Sequence, residues 1–311
     1  MKDRRLVVGK IAVGATDGLI FVTLIILTLL AILFHRRVDG WAVLVLKNFA
    51  AAGFYLAVLF LGGGSAKTAR SFFLRMVGVL VVLIYINLAV DKLQLIFHGR
   101  WLDESVLKME DAVFGVQPTV WLERFISKPL TEWMFFAYVF YIALYPTLSS
   151  LIFFRKGGEA AEDFFFTIGL MNIVCDLGFL MYPVAGPLAY IKSQYTVPLE
   201  GYLWTSIGEY LRQNWQFVGG TIPSPHCANA TVMWLAAYRF YRPAFWALAP
   251  VILSLYASTV YCRYHYITDS VTGIAAALLV WAIAPALRNA WNGVMGGRGS
   301  PEDPAAGIGS W

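Results

Sequence analysis

Residues 18–34 read GLIFVTLIILTLLAILF, a run of 17 residues without a charged side chain. The hydrocarbon core of a bilayer is about 30 Å thick, and a helix needs about 20 mostly apolar residues, within a range of about 17–25, to cross it. The run is long enough and apolar enough to do so. It follows a basic stretch that contains Lys2, Arg4, Arg5 and Lys10. This segment therefore predicts a transmembrane helix, and with it the class of the fold.

The composition of the whole chain supports the same class. Of its 311 residues, 59% are hydrophobic, 16% are aromatic and 14% are charged, whereas soluble domains are about 25% charged and about 45–50% apolar. These values exclude a disordered protein, a disulfide scaffold and an ordinary cytosolic enzyme. The net charge of +5 does not indicate nucleic-acid binding, because the basic residues lie between apolar runs and do not cluster. We expect the bilayer, and no nucleic acid, as a partner.

Eight apolar runs predict about eight transmembrane helices in an all-α integral membrane protein. After the first run they lie at 48–66, 76–90, 133–154, 164–183, 224–238, 243–262 and 265–287. Residues 91–132 are too charged to span, and their apolar–polar pattern predicts an interfacial helix segment. The connection 186–223 is rich in aromatic residues that favour the interface. Residues 291–311 are rich in Gly and Pro, which predicts a disordered tail.

The distribution of basic residues predicts the orientation. With eight spans, both termini share one side with the second, fourth and sixth connections, and that side carries 13 Lys and Arg residues. The other side carries 10, but five of these lie in the long 91–132 segment, and long loops count less in this rule. We therefore predict cytoplasmic termini and long loops that face the periplasm or a lumen.

Two of the four histidines begin predicted helices at the same membrane face. Residues 221–226 read TIPSPH, and residues 258–269 read STVYCRYHYITD. Asp269 lies four residues after His265, one helical turn away, where its carboxylate fixes the tautomer of the ring and stabilises the cation. Ser224 and His226 lie beside the free backbone N–H groups of a helix start, which attract phosphate. A histidine pair on one rim suits phosphoryl transfer, in which one ring attacks phosphorus and the other protonates the leaving oxygen.

Other interpretations of these residues remain open at this stage. A histidine at the end of a membrane helix is often only an interfacial polar group. His226 with Cys227, and Cys262 with His265, are two cysteine–histidine pairs of the kind that bind zinc. Adjacent helical residues, however, point about 100° apart, so that His226 and Cys227 do not easily bind one ion. Zinc would also leave Asp269 without a role.

The histidine motifs resemble those of a known family. Pro223-Ser224-Pro225-His226, followed by S-x-V-Y-x-x-x-H-Y-x-x-D-x-x-x-G at 258–273, resembles the second and third motifs of the type 2 phosphatidic acid phosphatase superfamily. Further segments resemble the branch that contains inositol phosphorylceramide synthases and their bacterial relatives. These are 111–115 (DAVFG), 130–132 (LTE) and 177–187 (LGFLMYPVAGP), with Pro118, Trp121, Leu122, Tyr138, Tyr141 and Pro146. The resemblance covers about residues 111–273.

The resemblance implies a fold and roles for single residues. It implies N-terminal transmembrane helices at 1–70 and, at 71–290, a six-helix catalytic core of the phosphatidic acid phosphatase type, in a bacterial inner membrane or its equivalent. His265 would be the nucleophile that forms a phosphohistidine, and Asp269 would orient it. His226 would protonate the leaving group, and Ser224 would bind phosphate. The family works without a metal, so we expect no metal and no cofactor.

Three departures from the family pattern concern phosphate binding. Pro225 replaces the Gly that phosphatase members carry, and Thr259 stands where they place an Arg. The first motif, a Lys and an Arg-Pro pair, is not recognisable. Three basic residues of the outer loops lie near the motifs, namely Lys192, Arg212 and Arg263. Because phosphate still needs cations, we predict Arg263 and Lys192 as phosphate-binding residues. Interfacial snorkelling is the alternative for each.

The expected function is that of a membrane-embedded enzyme that transfers a phosphoryl group or phospho-headgroup from a lipid phosphate or phospholipid. The branch resemblance favours a transferase with a lipid alcohol as acceptor, such as ceramide, diacylglycerol or a sugar lipid. The first alternative is a lipid phosphate phosphatase, in which water is the acceptor. A second is a non-catalytic lipid transporter, whose signature would be paired charges within the membrane. Lys47 and Asp176 are the deep charges that the sequence predicts, and their roles stay open.

Overall fold

The computed structural model describes residues 6–8, 11–64, 66–215 and 217–296. A short antiparallel hairpin of β1 (Leu6–Val8) and β2 (Ile11–Val13) precedes the helices. The helices are α1 (Ala15–Leu33), α2 (Trp41–Val58), α3 (Ala69–Asp91), α4 (Asp103–Phe114), α5 (Pro118–Trp121), α6 (Lys128–Lys156), α7 (Gly158–Met181), α8 (Pro187–Tyr190), α9 (Leu203–Trp215), α10 (Pro225–Phe240), α11 (Arg242–Tyr261) and α12 (Ile267–Gly296). A π-helical turn (Leu59–Gly63) extends α2, and two 3₁₀ turns (Leu122–Phe125 and Lys192–Gln194) follow α5 and α8. The predicted all-α class is confirmed.

Among the described residues, seven helices are long and apolar enough to cross a membrane. They are α1, α2 with its extension, α3, α6, α7, α11 and α12. The eighth predicted span is α10, which has only 16 residues and measures about 24 Å at about 1.5 Å per residue. Its residues Cys227 to Met233 are all buried, so α10 lies inside the bundle. All eight predicted runs are therefore helical, but the sixth is shorter than a full span.

The eight long helices alternate in direction. The starts of α1, α3 and α7 lie together, because Arg75 contacts both Asp17 and Glu162. The starts of α10 and α12 lie together at the opposite end, where the Ser224 N–H donates to the Asp269 carbonyl at 2.9 Å. We call this second end the histidine end and the first the terminal end. The predicted interfacial segment, with α4 and α5, and the connection 182–224 lie at the histidine end.

A buried ion cluster holds the terminal end together. Arg75 and Asp17 are both fully buried, with Nη1 and Oδ1 2.7 Å apart, and the Tyr55 hydroxyl donates to the same Asp17 oxygen at 2.7 Å. Glu162 of α7 binds the other side of the guanidinium. The orientation prediction counted Arg75 among the basic residues of the connections. This is wrong, because the opposite charges of Asp17 on α1 and Glu162 on α7 draw its side chain into the bundle. Without it the basic residues number 12 against 5, and the predicted orientation is unchanged.

Helix packing corrects one further expectation and bears on Lys47 and Asp176, whose roles the sequence left open. The tail predicted from 291 begins with helix, since α12 continues to Gly296. There the Trp291 ring fills the space beside Gly18 of α1, where a Cβ would lie 1.9 Å from the ring, and this contact extends the helix. Residues 297–311 lie outside the described part of the chain. Lys47 is exposed on α2 and is not a partner of Asp176, whose carboxylate accepts from Asn87 of α3.

Candidate active site

The two helix starts that carry the histidines are fastened to each other. Ser224 is the N-cap of α10, and its hydroxyl accepts from the Cys227 N–H. Gly273 of α12 packs directly on Ser224, where a Cβ would lie 2.6 Å from the Ser224 carbonyl oxygen, so that only glycine permits this approach. Ser224 is fully buried and is not part of the cavity wall. The structure thus places the predicted phosphate ligand as a cap beneath the site.

The His265 ring is oriented by two acceptors. Its Nδ1 atom lies 3.1 Å from the Thr221 carbonyl oxygen and 3.4 Å from Asp269 Oδ2. Because both partners are acceptors, Nδ1 carries the hydrogen and Nε2 keeps its lone pair. Asp269 is held in turn by the Tyr266 N–H, which donates to Oδ2 at 3.0 Å. The predicted pairing of His265 with Asp269 is present, and the Thr221 carbonyl is a closer partner that the sequence did not indicate.

His265 lies in the turn between α11 and α12 and is 3% exposed. Burial lowers the pKa of its imidazole to about 3, because removal from water disfavours the cation, and the Thr221 carbonyl opposes this shift only in part. The ring is therefore neutral near pH 7. A neutral ring with a free Nε2 lone pair is the nucleophilic form of histidine.

Aromatic side chains position His226. Its ring centroid is 5.7 Å from that of His265. Tyr138 of α6 stacks on His226 at 4.4 Å, and Tyr141, one turn further along α6, lies 4.9 Å away at a tilt. Tyr264 stacks on the other face of the Tyr138 ring at 4.3 Å. Tyr138 and Tyr141 thus hold His226 beside His265, and Tyr264 supports Tyr138.

Both imidazoles line one cavity of about 530 Å³. From the histidines it runs between α3 and α6, where its wall includes Ile84, Leu88 and Ile142. These three side chains are 46–60% exposed on the lipid-facing surface of the bundle. The cavity therefore joins the histidine pair to the region that acyl chains occupy.

Arg212 is the only Lys or Arg among the described residues of the cavity wall. It lies on α9, and the start of this helix is anchored by Glu132 of α6. The Glu132 carboxylate accepts from the backbone N–H groups of Tyr202, Trp204 and Thr205. The Arg212 guanidinium binds the Glu209 carboxylate one turn away on the same helix. Arg212 thus brings a positive charge to the cavity that the two histidines line. Its present partner, Glu209, is only partly buried.

The two predicted phosphate-binding cations lie elsewhere. Lys192 is exposed in the 3₁₀ turn after α8 and is not part of the cavity wall. Arg263 pairs with Glu123 at 2.8 Å and lies over the Tyr195 ring at 4.2 Å. It is only two residues from His265, but its φ of 66° marks a reversal of the chain, so that nearness in sequence does not bring its side chain into the cavity.

Thr259 shapes the turn that carries His265. Its carbonyl oxygen accepts from the N–H groups of Tyr264 at 3.0 Å and His265 at 2.9 Å. Its hydroxyl lies 2.9 Å from that of Ser270. The residue that stands in place of the phosphatase Arg is therefore fully buried and structural.

Two carboxylates of α4 clamp the loops around the site, and sequence reasoning missed both. Asp103 accepts from the N–H of Ala185 at 2.8 Å, the N–H of Gly186 at 3.0 Å and the hydroxyl of Tyr266 at 3.1 Å. Glu110 accepts from the Thr268 N–H at 2.9 Å. Burial raises the pKa of both carboxyls, and the hydrogen bonds oppose the shift. Their seven-residue spacing, which places them on one face of a helix, is the signal that could have revealed them.

The cysteines do not complete a metal site with the histidines. The Cys227 thiol lies 3.7 Å from the Thr259 hydroxyl, and Cys262 packs in a separate apolar cluster with Phe135 and Tyr261. Within the described ranges, no group of three or more His, Cys, Asp and Glu side chains is arranged to hold a metal ion. The zinc alternative therefore finds no ligand set there.

Comparison with known proteins identifies the family. The family model described as the PAP2 superfamily, that of the type 2 phosphatidic acid phosphatases, matches residues 104–283, which is more than half of the chain. No curated protein and no solved structure matches the chain. The match begins one residue after Asp103, the first residue of α4, and ends within α12. It includes both histidines, Asp269 and Glu110 of the α4 clamp. The resemblance seen in the histidine motifs is thus confirmed at the level of the superfamily, and the protein belongs to the PAP2 superfamily.

Proposed function

We propose that the protein is a metal-independent lipid phosphotransferase that works through a phosphohistidine at His265. Membership of the superfamily supports phosphoryl-transfer or phosphatase activity on lipid phosphates. The observation that carries the proposal is the pair of imidazoles 5.7 Å apart at the head of a lipid-facing cavity. One of them has its Nδ1 hydrogen directed to two acceptors.

The arrangement supports a two-step reaction. In the first step, Nε2 of His265 attacks phosphorus and the bond from phosphorus to the leaving oxygen breaks. His226, whose cationic form is favoured by the negative charge of the bound phosphate, gives that oxygen its proton. The cationic ring of the phosphohistidine is stabilised by the Thr221 carbonyl and the Asp269 carboxylate. In the second step, a hydroxyl attacks phosphorus, its proton passes to His226, and the phosphorus–nitrogen bond breaks.

Arg212 is the proposed phosphate-binding cation in place of Arg263 and Lys192. It already lines the cavity and bonds to a carboxylate. A guanidinium binds phosphate oxygens with the same two-pronged geometry. A bound phosphate would therefore replace Glu209 as its partner and supply the charge that the missing first motif provides elsewhere in the family.

The acceptor in the second step distinguishes a transferase from a phosphatase. The segments that resemble the inositol phosphorylceramide synthase branch support a lipid alcohol as acceptor. The lipid-facing mouth of the cavity supports the same choice, because an alcohol dissolved in the bilayer reaches the histidines along the route that serves the donor. Water in the same position would make the protein a lipid phosphate phosphatase.

Product analysis tests the proposal. Purified protein is incubated with phospholipids labelled in the headgroup phosphate, with and without a lipid alcohol, and the products are separated by thin-layer chromatography. When the alcohol is present, we expect the label to appear in a new lipid. The yield of this lipid should be the same with and without EDTA. His265→Ala should abolish turnover, and Asp269→Asn should lower kcat by about 10²–10⁴-fold. Full turnover by His265→Ala would overturn the mechanism, and release of water-soluble phosphate alone would assign a phosphatase.

A further inference from the structure

The carbonyl that orients His265 belongs to a loop of residues 218–221, which we call the glycine loop. Thr221 follows Gly219 and Gly220, whose φ angles are 96° and 65°. Both angles lie in the left-handed region, which glycine adopts at little cost and other residues avoid. Because glycine has so many accessible conformations, the backbone of the loop does not by itself fix the direction of the Thr221 carbonyl. Contacts from other segments must do so.

Gln94 makes such contacts on both sides of Gly219. Its Oε1 atom accepts from the Gly220 N–H at 2.7 Å, and its Nε2 atom donates to the Val218 carbonyl at 3.2 Å. One side-chain amide thus uses both its acceptor and its donor on the loop. The packing is close, because a Cβ on Gly219 would collide with Gln94 Oε1. The two peptide units directly before Thr221 are therefore held by one side chain.

Gln94 is itself held firmly in the turn that follows α3. It is 1% exposed, and the neighbouring Leu93 and Ile96 are buried in the main core. Its Nε2 atom also donates to Asp91 Oδ1 at 3.3 Å. Arg37, from the connection between α1 and α2, donates to the Ile96 carbonyl at 2.8 Å. The end of α3 thus offers the glycine loop a fixed support.

The opposite side of the glycine loop rests on a second backbone segment. The Gly219 N–H donates to the Ala185 carbonyl at 3.2 Å, and the Thr221 hydroxyl donates to the Val184 carbonyl at 3.1 Å. These bonds leave the Gly220 N–H and the Val218 carbonyl for Gln94. The loop is therefore clamped from two sides, and Gln94 provides one of them.

We infer that Gln94 is a positioning residue for His265, which acts by fixing the glycine loop and with it the Thr221 carbonyl. The inference rests on the proposed function and deepens it by naming a group outside the family match, residues 104–283, on which the orientation of the nucleophile depends. Gln94 is not part of the cavity wall, so it acts only through the loop. Without it, the Thr221 carbonyl can turn away from Nδ1, and Nε2 is no longer held toward phosphorus.

Two substitutions separate the hydrogen bonds of Gln94 from its volume. Gln94→Met keeps the length of the side chain and removes both bonds. Gln94→Glu introduces a carboxyl that accepts only when it is ionised, but that has a donor and an acceptor, like the amide, when it is protonated. Burial and the neighbouring Asp91 raise the pKa of this carboxyl, and Lys92, which pairs with Asp91, opposes the shift. We therefore expect it to be ionised at pH 9 and protonated at pH 5.

Turnover of the full-length protein in lipid nanodiscs, relative to wild type at the same pH, measures the effect. We expect Gln94→Met to lower kcat at least tenfold at pH 5 and at pH 9, with KM for the donor changed less than threefold. Gln94→Glu should lose as much at pH 9 and recover to within threefold of wild type at pH 5. A residue that only stabilised the fold would not produce this recovery.

The control is Asn48→Leu. Asn48 is also a buried amide, but it bonds Thr28 and Tyr85, and none of the three lines the cavity. This variant should keep kcat within threefold of wild type at both pH values. The comparison of Gln94→Glu at two pH values uses one protein, so that it does not depend on the stability of Gln94→Met.

A spectroscopic measurement separates this inference from the proposed function. The chain has four histidines, so the ring N–H groups of ¹⁵N-histidine-labelled protein can be assigned by single substitutions. Relative to wild type at the same pH, the Nδ1 hydrogen of His265 should exchange with water at least tenfold faster in Gln94→Met and in Gln94→Glu at pH 9. It should exchange within threefold of the wild-type rate in Asn48→Leu and in Gln94→Glu at pH 5.

Wild-type exchange in folded Gln94→Met, or equal behaviour of Gln94→Glu at the two pH values, would overturn the positioning role. Turnover that does not depend on His265 would instead overturn the proposed function, whatever the exchange rates are.

Discussion

At the residue scale, the division of roles between the two histidines depends on their surroundings. The Nδ1 atom of His265 is engaged by Thr221 and Asp269, whereas His226 is held by ring contacts with Tyr138 and Tyr141. The two acceptors fix the tautomer of His265 with Nε2 unprotonated, as its proposed role of nucleophile requires. The Nδ1 atom of His226 lies 3.5 Å from the Tyr138 hydroxyl, which can donate or accept. In the proposed mechanism, His226 exchanges protons with the leaving and attacking oxygens.

This division predicts how His226→Ala responds to the leaving group. A lipid alkoxide needs a proton to depart, but p-nitrophenolate does not. For each substrate, the measured quantity is the kcat of the variant as a fraction of the wild-type kcat. We expect this fraction to be at least tenfold higher for p-nitrophenyl phosphate esters than for lipid donors. An equal loss for the two substrates would instead make His226 a phosphate ligand.

The low pKa of His265 predicts the pH profile. An ordinary imidazole, with a pKa of about 6.5, is mostly protonated at pH 5, whereas burial lowers the pKa of His265 to about 3. Because the neutral ring is the nucleophile, activity should not fall as the pH drops from 8 to 5. We would measure kcat/KM, which reports the free enzyme, with a phosphodiester donor whose charge is constant over this range. A tenfold fall centred near pH 6.5, reversible on return to pH 8, would contradict the prediction.

The position of Arg212 predicts which cation binds phosphate. Arg212→Ala should lower kcat/KM for the lipid donor by about 10²-fold, because a charge-assisted hydrogen bond to the reacting phosphate contributes about 2–3 kcal/mol. Lys192→Ala, which removes an exposed charge outside the cavity, should change it by less than threefold. A larger loss in Lys192→Ala than in Arg212→Ala would restore the assignment predicted from the sequence.

At the element scale, α4 acts as a brace between the loops of the site. Asp103 of α4 binds both the backbone at 185–186 and the hydroxyl of Tyr266. Glu110 of α4 binds the start of α12. An interfacial position of α4 is predicted by its mixed composition. Its function as a brace is not, because it depends on which loops pack against its buried face.

Neighbouring carboxylates of α4 allow a matched test. Asp103→Asn places an N–H group where three donors already point, so it should lower the free energy of unfolding by about 1–3 kcal/mol and kcat by about tenfold, with KM for the donor changed less than threefold. Glu104→Gln is the control, since Glu104 is exposed and pairs with Lys108 on the surface of α4. The readouts are thermal unfolding in detergent and steady-state kinetics. Equal effects of the two substitutions would show that α4 does not position the nucleophile.

At the scale of the whole molecule, the basic residues predict the direction of the bundle in the membrane. The terminal end carries exposed charges such as Lys67, Arg155 and Lys156, and such an excess marks the cytoplasmic side. The histidine end should therefore face outward. All three native cysteines are buried, so that single introduced cysteines report on each end.

We predict that Gln194→Cys, at the histidine end, reacts with an impermeant thiol reagent in intact cells. Lys156→Cys, at the terminal end, should react only after the membrane is permeabilised. Both positions are exposed, and mass-tagged gel shifts measure the labelling. The reverse pattern would place the chemistry on the cytoplasmic face.

The sequence by itself determined the membrane class and all eight long helices, and it predicted the candidate residues His226, His265 and Asp269. Each of these is a local property, either a run of apolar residues or a spacing of four residues along one turn. Only the tertiary structure decided which partners meet from distant segments: Thr221 with His265, Arg212 with the histidine cavity, Asp103 with Tyr266, and Asn87 with Asp176. Arg263 shows the physical reason, because a reversal of the chain at a φ of 66° turns a side chain two residues from the nucleophile toward Glu123. Hydropathy reports where a helix lies, whereas the contacts of a side chain depend on how several helices pack.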